Sequence, residues 1–195
     1  MYTIEKEVIC EQTIKKSIFI THLYPVTTID EVNDYLKKIK KNHYDATHNC
    51  YSYIVGEDGS IYKNSDDGEP AQTAGVVIYE VLKKNNLTNI ICIVTRYFGG
   101  IKLGAGGLIR AYGSSSSNAV NMANLIEIIK EITIKITTTY PYANEILNYF
   151  EKYQNIDKSF LEKVELKYIV PEAKFSEISE AIINMTKNNI KIEVL

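Results

Sequence analysis

The sequence predicts an α+β protein of two domains, residues 1–130 and 131–195, from three observations. All ten glycines fall between Gly56 and Gly113. The glycine-free stretch after them still alternates strand-like and helix-like patterns, so it reads as a compact unit whose turns are made by Asn, Asp and Pro. Ile90–Val94 is an unbroken apolar run, the pattern of a strand with no polar face. A chain of 195 residues also has room for two small cores.

Residues 3–11 and 17–24 read as antiparallel strands joined around Lys15 and Lys16. Asp30 is placed to cap a helix whose apolar stripe is Val32, Tyr35, Leu36 and Ile39. Residues 47–55 and 60–63 form a hairpin pattern with a turn at Asp58 and Gly59. A second helix spans 72–85 and carries Lys83 and Lys84 in its last turn, where the helix dipole favours cations. Strand 89–95 then leads through a Gly-rich loop into a helix over about 106–123. The first domain is therefore expected to be a mixed sheet with helices. In the second domain the order is strand 131–139, helix 142–153, strands 156–162 and 164–170, helix 172–187 and strand 190–195. This is the βαββαβ or split βαβ arrangement. Pro141 and Pro171 stand at helix entrances, where a missing N–H costs nothing.

Composition narrows the function. Apolar residues at 45% and charged residues at 24% exclude a disordered chain. No apolar run approaches the roughly 20 residues of a membrane span, and Glu5, Lys6 and Glu7 stand where a signal peptide would be apolar. The expectation is a cytoplasmic protein with no membrane partner. Cys10, Cys50 and Cys92 form no CxxC pair, which excludes a disulfide scaffold and a zinc site. Twenty-two basic and 24 acidic residues leave a net charge of −2, so any nucleic-acid site must be a local patch. Twenty of the basic residues are Lys; only Arg96 and Arg110 are Arg, and both lie in the Gly-rich stretch. A planar fork that grips an anion or a carboxylate at two points cannot be replaced by Lys.

Three blocks carry the candidate chemistry. In TRYFGGIKLGAGGLIRAYG, residues 95–113, the glycines 99, 100, 104, 106 and 107 allow left-handed backbone and close approach of a ligand to main-chain amides. Strand, glycine loop and helix N-terminus together make an anion site, to which Arg96, Lys102 and Arg110 would add charge. Phosphate or carboxylate is the expected guest. The block has no Walker Gly-Lys-Ser/Thr, and Ile109 breaks the dinucleotide fingerprint. In SDDGEPAQTAG, residues 65–75, Asp66, Asp67 and Glu69 sit beside Gly68 and Pro70 in a turn that could hold Mg²⁺, pair with the two Arg, or simply be solvated. Thr73 is placed to cap the next helix or bind a ligand oxygen. In DATHNCYSY, residues 45–53, His48 and Asn49 are polar at the start of an apolar strand, a place for a general base or a base-edge reader. Cys50 reads as a buried small hydrophobe. Tyr51, Tyr53, Tyr97 and Tyr112 bracket the blocks, and aromatic rings among cations suit stacking on single-stranded RNA.

These blocks in this order resemble the YigZ/IMPACT family, and the likeness runs from KKSIFI at 15–20 to the βαββαβ tail. The resemblance implies a first domain like the second domain of a small-subunit ribosomal protein and domain IV of elongation factor EF-G. It implies a second, ferredoxin-like domain resembling EF-G domain V. Eukaryotic IMPACT proteins regulate translation under amino-acid stress, and they carry a different additional domain. By analogy the binding surface falls on His48, Asn49, Asp66, Asp67, Glu69, Arg96, Tyr97, Lys102 and Arg110, with no established catalytic roles and no cofactor. Ala71-Gln72 stands where members commonly show Ser-Gly, and Val76-Val77 where a Pro is usual.

Three functions compete. The first is a translation-associated protein that binds RNA, the ribosome or a translation factor through the cationic glycine loop. The second is a small metal-assisted hydrolase or phosphotransferase using Asp66, Asp67 and Glu69 with an Arg clamp. The third is a plain docking module. The first is favoured, on the premise that amides near Leu108 and the two guanidiniums converge in one electropositive hollow.

Overall fold

A computed structural model describes all 195 residues, which divide into two compact units, Met1–Ile128 and Ile129–Leu195. The first contains β1 (Tyr2–Ile4), β2 (Val8–Ile14), β3 (Ser17–Pro25), α1 (Ile29–Asn42), β4 (His48–Val55), β5 (Ile61–Ser65), α2 (Gly75–Lys84), β6 (Ile90–Tyr97), α3 (Ala105–Met122) and β7 (Leu125–Glu127). Five strands form one sheet in the order β2-β3-β6-β4-β5. Every pairing in it is antiparallel, which corrects the expected mixed sheet. The long connection through α1 does join two parallel strands, β3 and β4, but β6 enters between them and pairs antiparallel with both.

Helices cover both faces of this sheet. Phe19, Leu23, Cys50, Ile54, Cys92 and Val94 pack with α2 and α3, whereas Tyr24, Tyr53, Val55, Ile91 and Ile93 pack with Val32 and Ile39 of α1. The central strand is thus apolar on consecutive residues because both of its sides are interior.

Three local features depart from the sequence pattern. The first strand is two strands, because β1 pairs antiparallel with β7, a strand the pattern did not mark, in a separate two-stranded sheet, and the chain joins the main sheet only at β2. Helix α1 is capped by Thr28 rather than Asp30: the Thr28 hydroxyl accepts from the Glu31 amide and Glu31 reaches back to the Thr28 amide, a capping box. Helix α2 begins at Gly75 and not at 72, because Gln72 adopts a left-handed φ of 63° that no helix accommodates.

The second unit contains β8 (Glu131–Thr138), α4 (Tyr140–Tyr149), β9 (Gln154–Phe160), β10 (Val164–Pro171), a 3₁₀ turn, α5 (Phe175–Met185) and β11 (Ile190–Val194). Its antiparallel sheet has the order β11-β8-β10-β9, so the first and third strands are central, as the split βαβ arrangement requires. Ile134, Ile136, Val164, Leu166, Tyr168 and Val170 turn inward against Ile146, Ile178 and Ile182. On the other face Lys135 pairs with Glu165, Lys167 with Asp157 and Lys191 with Glu193. That face is a self-neutralised ladder of charges.

Candidate functional site

The site grows from the end of β6. Arg96 lies directly between Phe19 of β3 and His48 of β4 in the sheet register, so these three side chains share a face, the one covered by α2 and α3. Strand alternation sends the next residues the other way. Asn49 Oδ1 accepts from the Thr95 hydroxyl at 2.8 Å, and the Tyr97 hydroxyl meets His43 Nδ1 at 2.9 Å and Asp45 Oδ1 at 3.2 Å. Asn49 and Tyr97 therefore sit apart from the cleft that His48 and Arg96 line.

The acidic turn supplies the fourth member. Asp67 and Gly68 take left-handed φ values of 43° and 89°, and the Glu69 amide closes on the Asp66 carbonyl at 2.9 Å. This type I′ geometry swings Glu69 under the sheet end. Glu69 Oε1 accepts from Arg96 Nη1 at 2.6 Å and from the Tyr112 hydroxyl at 2.8 Å. Arg96 is 5% exposed, contacts Ser17 Oγ through Nη2 at 3.4 Å, and holds its guanidinium 5.5 and 5.6 Å from the Phe19 and Phe98 ring centres. A planar cation between two rings and a carboxylate explains why this position is Arg in a Lys-rich chain. Burial, followed by the neighbouring Cys50 and Glu69, raises the Tyr112 hydroxyl far above the ordinary tyrosine range, so it remains a donor to Glu69.

The other acids are engaged separately. Asp66 accepts from the amides of Gln72, Ala74 and Gly75 at 2.8–3.0 Å and so caps α2 from a distance. Asp67 accepts from the Asn49 amide at 2.7 Å and pairs with Lys40 at 3.3 Å. The three carboxylates do not converge, and no three His, Cys, Asp or Glu side chains come together as metal ligands. Thr73 is buried and donates to the Pro70 carbonyl at 2.6 Å, which occupies its hydroxyl within the turn. The Cys50 thiol, buried and pushed up to about 12, donates to the Asp66 carbonyl and is no nucleophile.

The glycine loop forms the opposite wall. A Cβ on Gly99 would collide with the Lys16 carbonyl of the β2–β3 turn, so this glycine lets the loop close on that hairpin. Gly100 and Gly104 have φ values of 83° and 70°, and Gly104 begins α3 without any capping side chain. The Leu108 amide is used by the Gly104 carbonyl at 2.9 Å. The amides of Ala105, Gly106 and Gly107 precede the first helical hydrogen bond and face away from the helix body. Lys102 is exposed and makes no ion pair. Arg110 is also exposed and without an ion pair; its Nη1 lies 3.7 Å from where a Gly106 Cβ would stand, over the first turn of α3.

A cleft of about 370 Å³ results, lined by Thr47, His48, Glu69, Arg96, Phe98 and Lys102, with Pro70, Leu103, Gly104, Ala105 and Leu108. The two guanidiniums do not meet in it. Arg96 forms its floor, already paired with Glu69, and Arg110 flanks the α3 start outside it.

A family model described as the Impact N-terminal domain matches residues 15–120. The chain belongs to the IMPACT family. It is 44% identical over 185 residues to the IMPACT family member YvyE of Bacillus subtilis (strain 168), covering 93% of this chain and 85% of that protein. It is 29% identical over 185 residues to the IMPACT family member YigZ of Escherichia coli (strain K12), covering 93% and 91%. A crystal structure of a hypothetical protein aligns with a TM-score of 0.69 at 27% identity, over 100% of this chain and 96% of that one. No helix is long and apolar enough to cross a membrane.

In this IMPACT family chain the blocks identified in the sequence do supply most of the cleft. Residue-type reasoning did not single out Ser17, Thr47 or Phe98. Thr47 Oγ1 accepts from the Phe98 amide at 3.0 Å and Ser17 Oγ from the Gly99 amide at 3.2 Å, so two small hydroxyls tie the loop to neighbouring strands. Their signal was position alone: each is the residue at or next to a strand start.

Proposed function

We propose that the protein is a translation-associated RNA-binding protein and that its cleft takes a backbone phosphate. The observation that carries this reading is the uncapped start of α3, whose three free amides open beside the cleft with Lys102 at the rim and Arg110 over the same turn. Amides and dipole favour an anion there, and the two unpaired cations add formal charge without the cost of breaking an internal pair. Phe98, 47% exposed, offers a ring on which a base stacks. The likeness to a ribosomal protein domain and to EF-G domains IV and V that the family resemblance implies would suit a ribosome-facing role, and membership in a family whose eukaryotic members regulate translation supports one. The charge ladder on the open sheet of the second unit is neutral and lacks aromatic rings, so the phosphate contacts belong to the first unit.

Fluorescence anisotropy with a labelled oligouridylate tests this reading, together with co-sedimentation with ribosomes. Binding is expected at low salt and should weaken steeply as salt rises. Lys102→Ala and Arg110→Ala should each reduce affinity and lower the salt slope by about one. Folded protein that binds neither RNA nor ribosomes at low salt would overturn it.

A further inference from the structure

We propose that Glu69 Oε2 and His48 Nε2 form a site for a ribose 2′-hydroxyl beside the phosphate position, so that the cleft selects RNA over DNA. The proposal rests on the RNA-binding reading above and adds the chemistry by which one nucleic acid is told from the other.

The geometry leaves two acceptors facing each other without a donor. His48 Nδ1 lies 2.9 Å from the Asp67 carbonyl oxygen. A carbonyl can only accept, so Nδ1 bears a hydrogen, and in the tautomer with that single ring proton Nε2 presents a lone pair. That nitrogen stands 3.8 Å from Glu69 Oε2, beyond hydrogen-bond length. Glu69 Oε1 is saturated by Arg96 and Tyr112, but Oε2 makes no hydrogen bond although the side chain is only 3% exposed. That oxygen is the part of the carboxylate left to take a donor from the cleft. Both groups line the cleft, so the donor comes from what enters it.

Charge decides the class of donor. Glu69 is already neutralised by Arg96, and Lys102 and the α3 dipole make the surroundings positive, which disfavours an ammonium group. A neutral hydroxyl next to an anion meets both demands. In a polynucleotide that combination is the 2′-hydroxyl adjoining the 3′-phosphate, and it is the group that DNA lacks. Water can bridge the same acceptors when no hydroxyl is present, so deoxyribose is tolerated but gains nothing there.

The test compares an oligouridylate with its 2′-deoxy and 2′-O-methyl analogues by anisotropy at low salt. The native protein should bind the ribose form about tenfold more tightly than either analogue, the effect of one hydrogen bond to a charged acceptor. His48→Leu and Glu69→Gln should bring the ratio of ribose to deoxyribose affinity towards one. His48→Leu carries the test if Glu69→Gln does not fold. Equal binding of all three oligomers by the native protein overturns the hydroxyl site while the phosphate reading stands. An unchanged preference in folded His48→Leu overturns the assignment to these residues, and failure to bind any oligomer overturns the phosphate reading and this proposal with it.

Discussion

Arg96 and Glu69 form a buried ion pair with few other donors in reach, and removing one partner strands the other. Glu69→Leu or Arg96→Met alone should destabilise the first unit by about 3–5 kcal/mol, whereas the two replacements together should recover much of that loss. Urea denaturation of the single and double variants checks it; additive losses would contradict the pairing. His22 is a different buried case. It is 4% exposed, neither ring nitrogen has a partner, and burial first, then His43 and Lys38, lowers it from 6.5 to about 4. The folded state thus resists protonation while the unfolded chain accepts it. The stability from a neutral His22 is complete above the unfolded value and is lost as pH falls from about 6.5 towards 4, by up to about 3 kcal/mol. Denaturation midpoints measured across that window should fall steeply for the native protein and more gently for His22→Leu.

Among the elements, the β2–β3 turn and the glycine loop define each other. Lys15 and Lys16 take positive φ values of 47° and 67°, the two-residue turn that matches strand twist, and Gly99 rests on its carbonyl. Gly99→Ala should therefore cost about 3 kcal/mol, at the upper end of overpacking effects. Gly106→Ala lies in a helix with only the Arg110 tip nearby and should stabilise by roughly 0.5–1 kcal/mol. Thermal unfolding of the two variants should move in opposite directions. The elements themselves were legible wherever the local pattern was strong: the apolar run in strand 89–95, the α3 helix and the βαββαβ tail. What escaped were features set by partners distant in sequence. β7 becomes a strand only because β1 lies beside it, and Asp66 caps α2 across eight residues, outside any local capping pattern. In the site, residue type pointed to His48, Glu69 and Arg96. The period of two in a strand already implied that Asn49 and Tyr97, each adjacent to one of these, would face elsewhere, and the structure puts them there.

At the scale of the whole molecule, two separate cores predict two separately folding units. A fragment ending at Ile128 contains every residue of the cleft and should bind oligouridylate within about twofold of the full chain, a difference of only a few tenths of a kcal/mol. Its hydrogen-exchange protection in β3, β4 and β6 should match that of the full chain; loss of that protection would show that the second unit is needed for the first to fold.

The short sheet of β1 and β7 has a consequence for that modularity. Met1 accepts from the Ile128 amide at 2.9 Å, and Tyr2 to Ile4 run alongside Leu125 to Glu127, so the polypeptide enters and leaves the first unit at one clasped seam. Whatever follows the clasp joins at a fixed point that is sealed by backbone pairing. Such a seam lets evolution exchange the appended module, or graft it to the other end, without reopening the fold that holds the cleft.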